Sequence, residues 1–135
     1  MHGKVIPFGY ADGGTSALDR LMQGDRAHLV DIRLSARSRI PVFNEAALKA
    51  RFAGRYMHLP ELGNVNYKNG QPIQIADPDR GISRLMNGID QGYTIVLMCG
   101  CKQYELCHRS VVVDLLKRAM AEVEVELPDQ KEVVQ

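Results

Sequence analysis

The chain has 135 residues, 45% of them hydrophobic and 24% charged, and its formal net charge is +1 at pH 7. A domain of this size buries roughly two thirds of its unfolded surface, so it needs neither disulfides nor a structural metal to fold. The longest apolar run, residues 95–99, is far shorter than the roughly 20 residues that span a bilayer, which excludes a membrane-spanning protein. Because charge appears at Lys4 without a signal-peptide core, we expect a cytoplasmic protein.

The chain has three cysteines, and all of them fall between residues 99 and 107. An odd number in one short segment is not the pattern of a secreted domain held together by disulfides. Reduced thiols are therefore predicted. Since stability does not demand them, they need a chemical explanation.

The near-neutral net charge hides two local imbalances. Residues 33–55 hold six cations and one acid, whereas residues 122–135 hold five acids and one cation. The overall balance excludes the general basic field of a nonspecific nucleic-acid binder, but it leaves room for a local anion site. A solvated loop and helix surface would give the same basic pattern.

Short apolar runs alternate with helical segments in the first half of the chain. The predicted strands are residues 4–8, 29–32 and 56–59. After Gly13-Gly14, Thr15 or Ser16 would cap a helix that extends to about Met22. Asn44 would cap a second helix, which Gly54 would end.

The second half begins with the longest irregular connection, residues 60–76, and long connections are often functional. Asp77 and Pro78 predict the N-cap and first residue of a helix that Gly92 closes. Residues 94–99 are almost continuously apolar and predict a central strand buried on both faces.

The chain then returns to a helix and ends in a strand. A helix is predicted near residues 107–121, and alternating glutamates and apolar residues over 122–127 are typical of an edge strand. Strands and helices alternate throughout, which predicts a single three-layer α/β domain over residues 1–127, followed by a polar tail over 128–135. Its sheet would be mainly parallel, with about five strands and helices on both faces, of Rossmann-like or rhodanese-like type.

Polar residues follow the predicted carboxyl ends of three strands and begin the last helix. Those at the strand ends are Asp31, Arg33, His58, Glu61 and Cys99. Those at the start of the helix are Cys107, His108, Arg109 and Ser110. In a parallel sheet these groups would meet at one rim, where ligands usually bind.

The start of the last helix carries the most chemistry. Free backbone N–H groups and the helix dipole at such a position favour anions and thiolates. Arg109 would hold an oxyanion, and His108 would exchange a proton near neutral pH. A cap or a surface ion pair would also explain His108 and Arg109, and an inert core thiol would explain Cys99.

The spacing of the cysteines argues against two other kinds of site. Cys99, Cys107 and His108, with Cys101, supply four soft metal ligands, but C-x-C is not the usual C-x2-4-C knuckle, so a metal is not favoured. A phosphatase loop would need a cysteine six residues before Arg109, and Gln103 stands there. The sequence also has no GxGxxG or Walker-type glycine loop.

Three segments together carry a family resemblance. They are Asp31-Ile32-Arg33 with Arg37-Ser38-Arg39, Tyr56-x-His58-Leu59-Pro60-Glu61-Leu62-Gly63, and Cys99-x7-Cys107-His108-Arg109-Ser110. In this order and spacing they resemble the domain-of-unknown-function family numbered 488, over roughly residues 5–117. A weaker likeness to rhodanese-type domains is an analogy between strand ends.

The resemblance implies a small α/β protein of a mostly prokaryotic family that has no generally established reaction. Its matched site positions are Asp31, Arg33, Ser38, Glu61, Cys99, Cys107, His108 and Arg109. Cys101 stands at a position that is commonly free of cysteine in the family, which argues against the four-ligand metal site.

The leading hypothesis is an enzyme that acts on a small anionic substrate, either a nucleotide or a phosphate- or sulfur-containing metabolite. Its predicted catalytic residues are Cys99, Cys107, His108 and Glu61. Its predicted anion-binding residues are Asp31, Arg33, Arg37, Ser38, Arg109 and Ser110. The alternatives are a module that binds nucleic acid or protein through the 33–55 surface, and a thiol redox or metal-binding protein using Cys99, Cys107 and His108.

Overall fold

The computed structural model of the chain describes residues 3–100 and 107–127. Its strands are β1 (Lys4–Gly9), β2 (Ala27–Asp31), β3 (Tyr56–His58), β4 (Thr94–Cys99) and β5 (Glu124–Val125). Its α-helices are α1 (Tyr10–Leu21), α2 (Glu45–Arg51), α3 (Pro78–Asp90) and α4 (His108–Ala119). Short 3-10 helices cover Pro41–Phe43 and Pro60–Leu62. The predicted tail and Cys101 lie outside the described residues.

The five strands form one open sheet in the order β3-β2-β4-β1-β5, and every pairing is parallel. The predicted α/β fold with a mainly parallel sheet is confirmed. β4 lies at the centre, between β2 and β1, as its apolar sequence predicted. β5 lies at the edge beside β1, but it is only two residues long.

Helices cover both faces of the sheet, and the side chains of β4 alternate between them. Ile95, Leu97 and Cys99 pack in the cluster that includes α3 and α4. Val96 and Met98 pack in the cluster that includes α1 and α2. Cys99 is therefore buried on the α4 side, at the carboxyl end of the central strand.

The start of α1 differs from the prediction. The helix begins at Tyr10, directly after β1, and not at Thr15 or Ser16. Gly14 has a φ of 69°, a left-handed conformation that kinks the helix and that glycine adopts without a Cβ penalty. The predicted helix corresponds to the part after this kink, and the part before it places Tyr10 at the end of β1.

Asn44 precedes α2 as predicted, but its side chain does not cap the helix. Its Oδ1 accepts a hydrogen bond from the backbone N–H of Ser38 at 2.6 Å. The amide therefore holds the loop after β2 instead of the first turn of α2. By contrast, Asp77 does cap α3, since its carboxylate accepts from the backbone N–H of Arg80 at 3.3 Å.

The connection over residues 60–76 is ordered by Asn64. Its Oδ1 accepts from the backbone N–H groups of Asn66 and Gln74 at 2.9 and 3.0 Å. A single antiparallel bridge joins Asn64 to Ile75 and closes the loop.

None of the helices within 3–100 and 107–127 has the length and apolarity that crossing a bilayer requires.

Candidate functional site

A buried ion pair lies at the carboxyl end of β2. Asp31 is fully buried and Arg33 is 7% exposed, and the guanidinium holds both carboxylate oxygens, with Nε–Oδ1 at 2.8 Å and Nη2–Oδ2 at 2.5 Å. Tyr56 donates its hydroxyl to Asp31 Oδ2 at 2.6 Å. Burial opposes the charge on Arg33, but the hydrogen bonds and charge attraction of Asp31, together with those of Tyr10, outweigh it and raise the pKa of Arg33. Burial, together with Asp31, also raises the pKa of Tyr56.

The turn that this pair closes presents two carbonyl groups to histidines. His108 Nε2 lies 2.9 Å from the carbonyl oxygen of Ile32, and His58 Nε2 lies 2.7 Å from that of Arg33. A carbonyl can only accept, so each Nε2 carries a hydrogen. Neutral His108 therefore has its lone pair on Nδ1.

His108 is held in its neutral form by its surroundings. The residue is 7% exposed, and burial lowers its pKa; the hydrogen bond to Ile32 opposes this shift, and Arg109 adds to it. Its Nδ1 lies 3.7 Å from Cys107 Sγ. The imidazole can thus accept a proton from the Cys107 thiol.

Cys107 is the N-cap of α4, and its sulfur faces hydrogen-bond donors. Sγ accepts from the backbone N–H of Arg109 at 3.5 Å and from Arg109 Nε at 3.4 Å. Ser110 instead donates its hydroxyl to the backbone carbonyl of Cys107 at 2.8 Å. A helix N-terminus and a guanidinium both stabilise a thiolate, which makes Cys107 the better placed of the two described cysteines for nucleophilic chemistry.

Cys99 lies against Cys107 in the core. The two Sγ atoms are in contact at 2.8 Å, and the exposed fractions are 0% for Cys99 and 1% for Cys107. Cys107 is disulfide-bonded in the structure, so its nucleophilic chemistry belongs to the reduced form. Cys107 thus differs from the reduced thiols that the sequence predicted.

The buried groups of Cys99, Cys107 and His108 lie within 4.8 Å of one another and are the candidate metal ligands among the described residues. Two sulfurs on a tetrahedral zinc, with Zn–S bonds of about 2.3 Å, lie roughly 3.8 Å apart, so this pair would have to separate. The guanidinium of Arg109 at Cys107 Sγ also opposes a cation. The arrangement fits a metal poorly.

An open cleft of about 750 Å³ lies beside this cluster. Its basic groups come from Arg33, Arg37, Arg39, Lys68 and His108. Tyr10 and Tyr67 add aromatic rings, and Ser38, Asn64 and Gly100 add smaller polar and backbone surface. No carboxylate of the described residues lines it, so its charge is cationic.

Two family models match the chain. The model described as the active DUF488-N3 subclade, DUF488-N3a, covers residues 49–120, which is more than half of the sequence. The chain belongs to the DUF488 family. The general model, domain of unknown function DUF488, covers residues 15–71. Searches of curated proteins and of solved structures give no significant match.

The DUF488 matches together span residues 15–120, which include every predicted site residue. The fold brings Cys99, Cys107, His108 and Arg109 into one buried cluster. Arg33, Arg37 and Ser38 line the cleft, with His108 between cluster and cleft. Asp31 is buried beneath Arg33, and Ser110 bonds to the α4 backbone.

Glu61 is not brought to the cluster of this DUF488 domain. It is not part of the cleft lining, and its Oε2 lies 3.4 Å from Arg80 Nε on α3. The sequence predicted that Glu61 lies at the rim because it follows β3 closely in the chain, but the 3-10 helix over residues 60–62 leads toward α3.

Sequence reasoning missed Tyr10, Tyr56, Tyr67 and Lys68 as site residues, and of these only Tyr56 stands in one of the three segments of the family resemblance. Tyr10 stacks on Phe43 with ring centroids 4.3 Å apart, and Arg33 lies over its ring at 5.5 Å. The signal for Tyr10 is its place directly after β1, because the carboxyl end of this strand lies on the same rim as those of β2 and β4.

The basic stretch of this DUF488 domain is divided by the fold. Four of its six cations have partners within the chain, namely Arg33 with Asp31, Lys49 with Glu45, Arg51 with Asp19, and Arg55 with three backbone carbonyls. Arg37 and Arg39 form no ion pair with the described residues, and both line the cleft. The available charge is therefore concentrated at the cleft.

Proposed function

We propose that this DUF488 domain is a cysteine- and histidine-dependent enzyme that acts on an anionic substrate bound in the basic cleft. The observation that carries the proposal is the position of His108. Its Nε2 is held by the Ile32 carbonyl, its Nδ1 faces Cys107 Sγ at 3.7 Å, and the residue also lines the cleft. One imidazole thus connects the nucleophile to the substrate site.

The proposed reaction begins with the reduced thiol. His108 Nδ1 takes the proton of Cys107, and the N-terminus of α4 and Arg109 stabilise the thiolate. The thiolate forms a bond to an electrophilic atom of the substrate while the leaving group departs with the electron pair of its broken bond and the proton from His108. Water then adds to the electrophilic atom and gives a proton to His108 while the bond to Cys107 breaks and its electron pair returns to the sulfur. His108 finally returns this proton to the thiolate and restores the thiol.

Two further observations bear on this proposal. The matched subclade is described as active, which supports an enzyme. Cys107 is 1% exposed and does not line the cleft, so the reacting atom must enter past His108 and Gly100, which do. The reaction therefore requires local opening at this boundary.

The proposal is tested by trapping an intermediate on reduced protein. We would incubate it with anionic electrophiles, namely phosphate esters, acidic thioesters and nucleotides, and search for a covalent adduct by peptide mass spectrometry. The expected adduct is on Cys107, is absent from Cys107→Ser and forms more slowly in His108→Gln. His28→Gln is the matched control, because His28 lies on β2 beside Tyr93, outside the cleft lining.

Turnover or an adduct that persists in Cys107→Ser would overturn the assignment of the nucleophile. If no compound in the panel reacts, and if alkylation of Cys107 by iodoacetamide is the same in His108→Gln as in the parent, the enzyme proposal is wrong. A binding or redox role would then explain the cleft and the cysteines.

A thiol redox role is the second candidate, and one observation favours it. Cys107 is disulfide-bonded, and the Cys99 sulfur contacts the same sulfur at 2.8 Å. Reduction of this disulfide would take up two electrons and two protons from a dithiol donor. Measuring its reduction potential against glutathione separates the candidates. A hydrolytic enzyme needs Cys107 to be reduced by the glutathione pool, a redox disulfide has a potential close to that of the pool, and a structural disulfide resists reduction by it.

A further inference from the structure

We infer that the anionic ligand of the basic cleft is a nucleoside polyphosphate, with its phosphates on Arg37, Arg39 and Lys68 and its base on Tyr67. This inference rests on the proposed function for its place in a reaction, but it is argued from the cleft alone. Four features of the lining carry it: charge, aromatic surface, hydrogen-bonding groups and size.

The charge of the cleft fits several negative charges. Arg37, Arg39 and Lys68 line it and form no ion pair with other described residues, whereas Arg33 is neutralised by Asp31. Three available cations without a carboxylate among the described lining residues are more than a single carboxylate or monoanion requires. A diphosphate or triphosphate group complements them.

The aromatic surface fits a base. Tyr67 is 52% exposed, so its ring is accessible to a ligand, and it stands next to Lys68, whose Nζ lies 5.4 Å from the ring centroid. A nucleobase stacks on such a ring, while the neighbouring lysine serves a phosphate. Tyr10 cannot play this part as well, because it already stacks on Phe43 and contacts Arg33.

Asn64 adds a donor at the wall of the cleft. The residue is 9% exposed, and its Oδ1 is occupied by the N–H groups of Asn66 and Gln74. This fixes the orientation of the amide, and its Nδ2 has no hydrogen-bond partner among the described residues. Such an amide can donate to a base carbonyl or a ribose oxygen.

Size favours a single nucleotide over a nucleic-acid strand. A volume of about 750 Å³ lies within the range of sites for small molecules and cofactors. Beyond the cleft, Lys49, Arg51 and Arg55 of the same basic stretch are engaged with partners of the chain, so these three residues do not extend the cleft into a basic track for a strand.

The test is a binding experiment with reduced Cys107→Ser protein, in which the proposed chemistry is absent. The probes are ATP, CTP, adenosine, inorganic tripolyphosphate and a twelve-residue single-stranded oligonucleotide, measured by calorimetry at one fixed ionic strength. We expect ATP and CTP to bind at least tenfold more tightly than tripolyphosphate. Adenosine should bind more weakly than ATP and CTP.

Substitutions at two positions, Tyr67 and Arg37, separate the base from the phosphates. Tyr67→Ala should weaken nucleotide binding about tenfold and leave tripolyphosphate binding unchanged, while Tyr67→Phe should bind nucleotides like the parent. Arg37→Ala should weaken both ligands. Lys49→Ala is the matched control, since Lys49 belongs to the same basic stretch, pairs with Glu45 and does not line the cleft.

Equal affinities for tripolyphosphate and nucleotides, or an unchanged nucleotide affinity in Tyr67→Ala, would overturn the inference. Tenfold tighter binding of the oligonucleotide than of ATP would overturn it in favour of a strand. Either result leaves the proposed enzyme intact if the Cys107 adduct forms with another anion. Conversely, nucleotide binding without any adduct supports this ligand and counts against the proposed chemistry.

Discussion

The guanidinium of Arg33 donates hydrogen bonds to both carboxylate oxygens of Asp31, two residues before it in the chain. This pair closes the turn whose backbone carbonyls accept hydrogen bonds from His108 and His58. The Ile32 carbonyl sets the tautomer of His108, and His108 faces Cys107. A local ion pair thus positions the proton acceptor of the proposed reaction, and no hydrogen bond between the pair and the sulfur of Cys107 is needed.

Replacing Asp31 should be severely destabilising. In Asp31→Ala the guanidinium of Arg33 stays buried without its partner, and losing one member of a buried pair costs about 3 kcal/mol or more. Urea denaturation measures the change. Asp19→Ala, which removes the exposed partner of Arg51, is the control and should change the free energy of unfolding far less. Similar losses in both variants would show that the buried pair has no special weight.

His108 should make the protein less stable at acid pH. Its pKa is below the ordinary 6.5 in the folded state because of burial, so below 6.5 the unfolded state binds more protons than the folded state. The free energy of unfolding should therefore fall as the pH drops from 6.5 toward the folded pKa, and His108 should contribute fully above 6.5.

This slope is measured by urea denaturation of the reduced protein between about pH 5 and 7.5. His108→Gln should flatten it. His28, whose pKa is also lowered first by burial and then by Arg55 and Arg26, contributes with the same sign, so His28→Gln should flatten it independently. An unchanged slope in His108→Gln contradicts a buried neutral His108.

Arg109 should control the reactivity of Cys107. Arg109→Gln removes the cation beside Sγ, and we expect alkylation of the reduced protein by iodoacetamide at pH 7 to slow about tenfold. Arg109→Lys keeps a positive charge and should retain more of the rate. Because Arg109 is 3% exposed, circular dichroism must first show that each variant is folded. Equal rates in all three proteins would exclude an electrostatic role for Arg109.

Cys99 and Cys107 should form a disulfide when Cys101 is removed. The substitution Cys101→Ser leaves Cys99 and Cys107 as the two cysteines of the chain. Their sulfurs lie 2.8 Å apart, so oxidised glutathione can accept two electrons from the two thiols and leave a Cys99–Cys107 bond. Non-reducing peptide mapping should show this link, and dithiothreitol should reverse it. Recovery of only glutathione adducts would mean that the contact is not maintained in solution.

Gly63 should be required for the wall of the cleft. A Cβ at this position would lie 2.8 Å from the backbone N and Cα of Leu34, which lines the cleft, so Gly63→Ala must displace this loop. We expect a loss of about 1–3 kcal/mol in urea denaturation and weaker anion binding. Gly24→Ala is the control, since a Cβ there meets no atom within 4 Å.

The order of elements could be predicted from the chain because local patterns carry it. The apolar run over residues 94–99 has no polar face, so it can only be a strand covered on both sides. Asp77 and Pro78 begin α3 as predicted, since both act on the backbone next to them. The clustering of Cys107, His108 and Arg109 was likewise predictable, because the three residues are consecutive in the chain.

Side-chain partners were not predictable in the same way. The Asn44 amide could cap α2 or bind the backbone of Ser38, and the position of the loop after β2 decides which of these hydrogen bonds forms. Glu61 and Arg80 are 19 positions apart in the chain and meet only because of how α3 packs. In each case the residue type allows several hydrogen bonds, and tertiary packing selects one.

The sequence by itself determined an α/β domain of the DUF488 family with a thiol, an imidazole and a guanidinium at one helix start, because periodicity, capping and adjacency are local properties of the chain. Only the tertiary structure decided that His108 faces Cys107, that Cys99 touches the same sulfur and that Arg37, Arg39 and Lys68 share one cleft. These relationships depend on the register of parallel strands and the seating of helices, which join residues far apart in the chain.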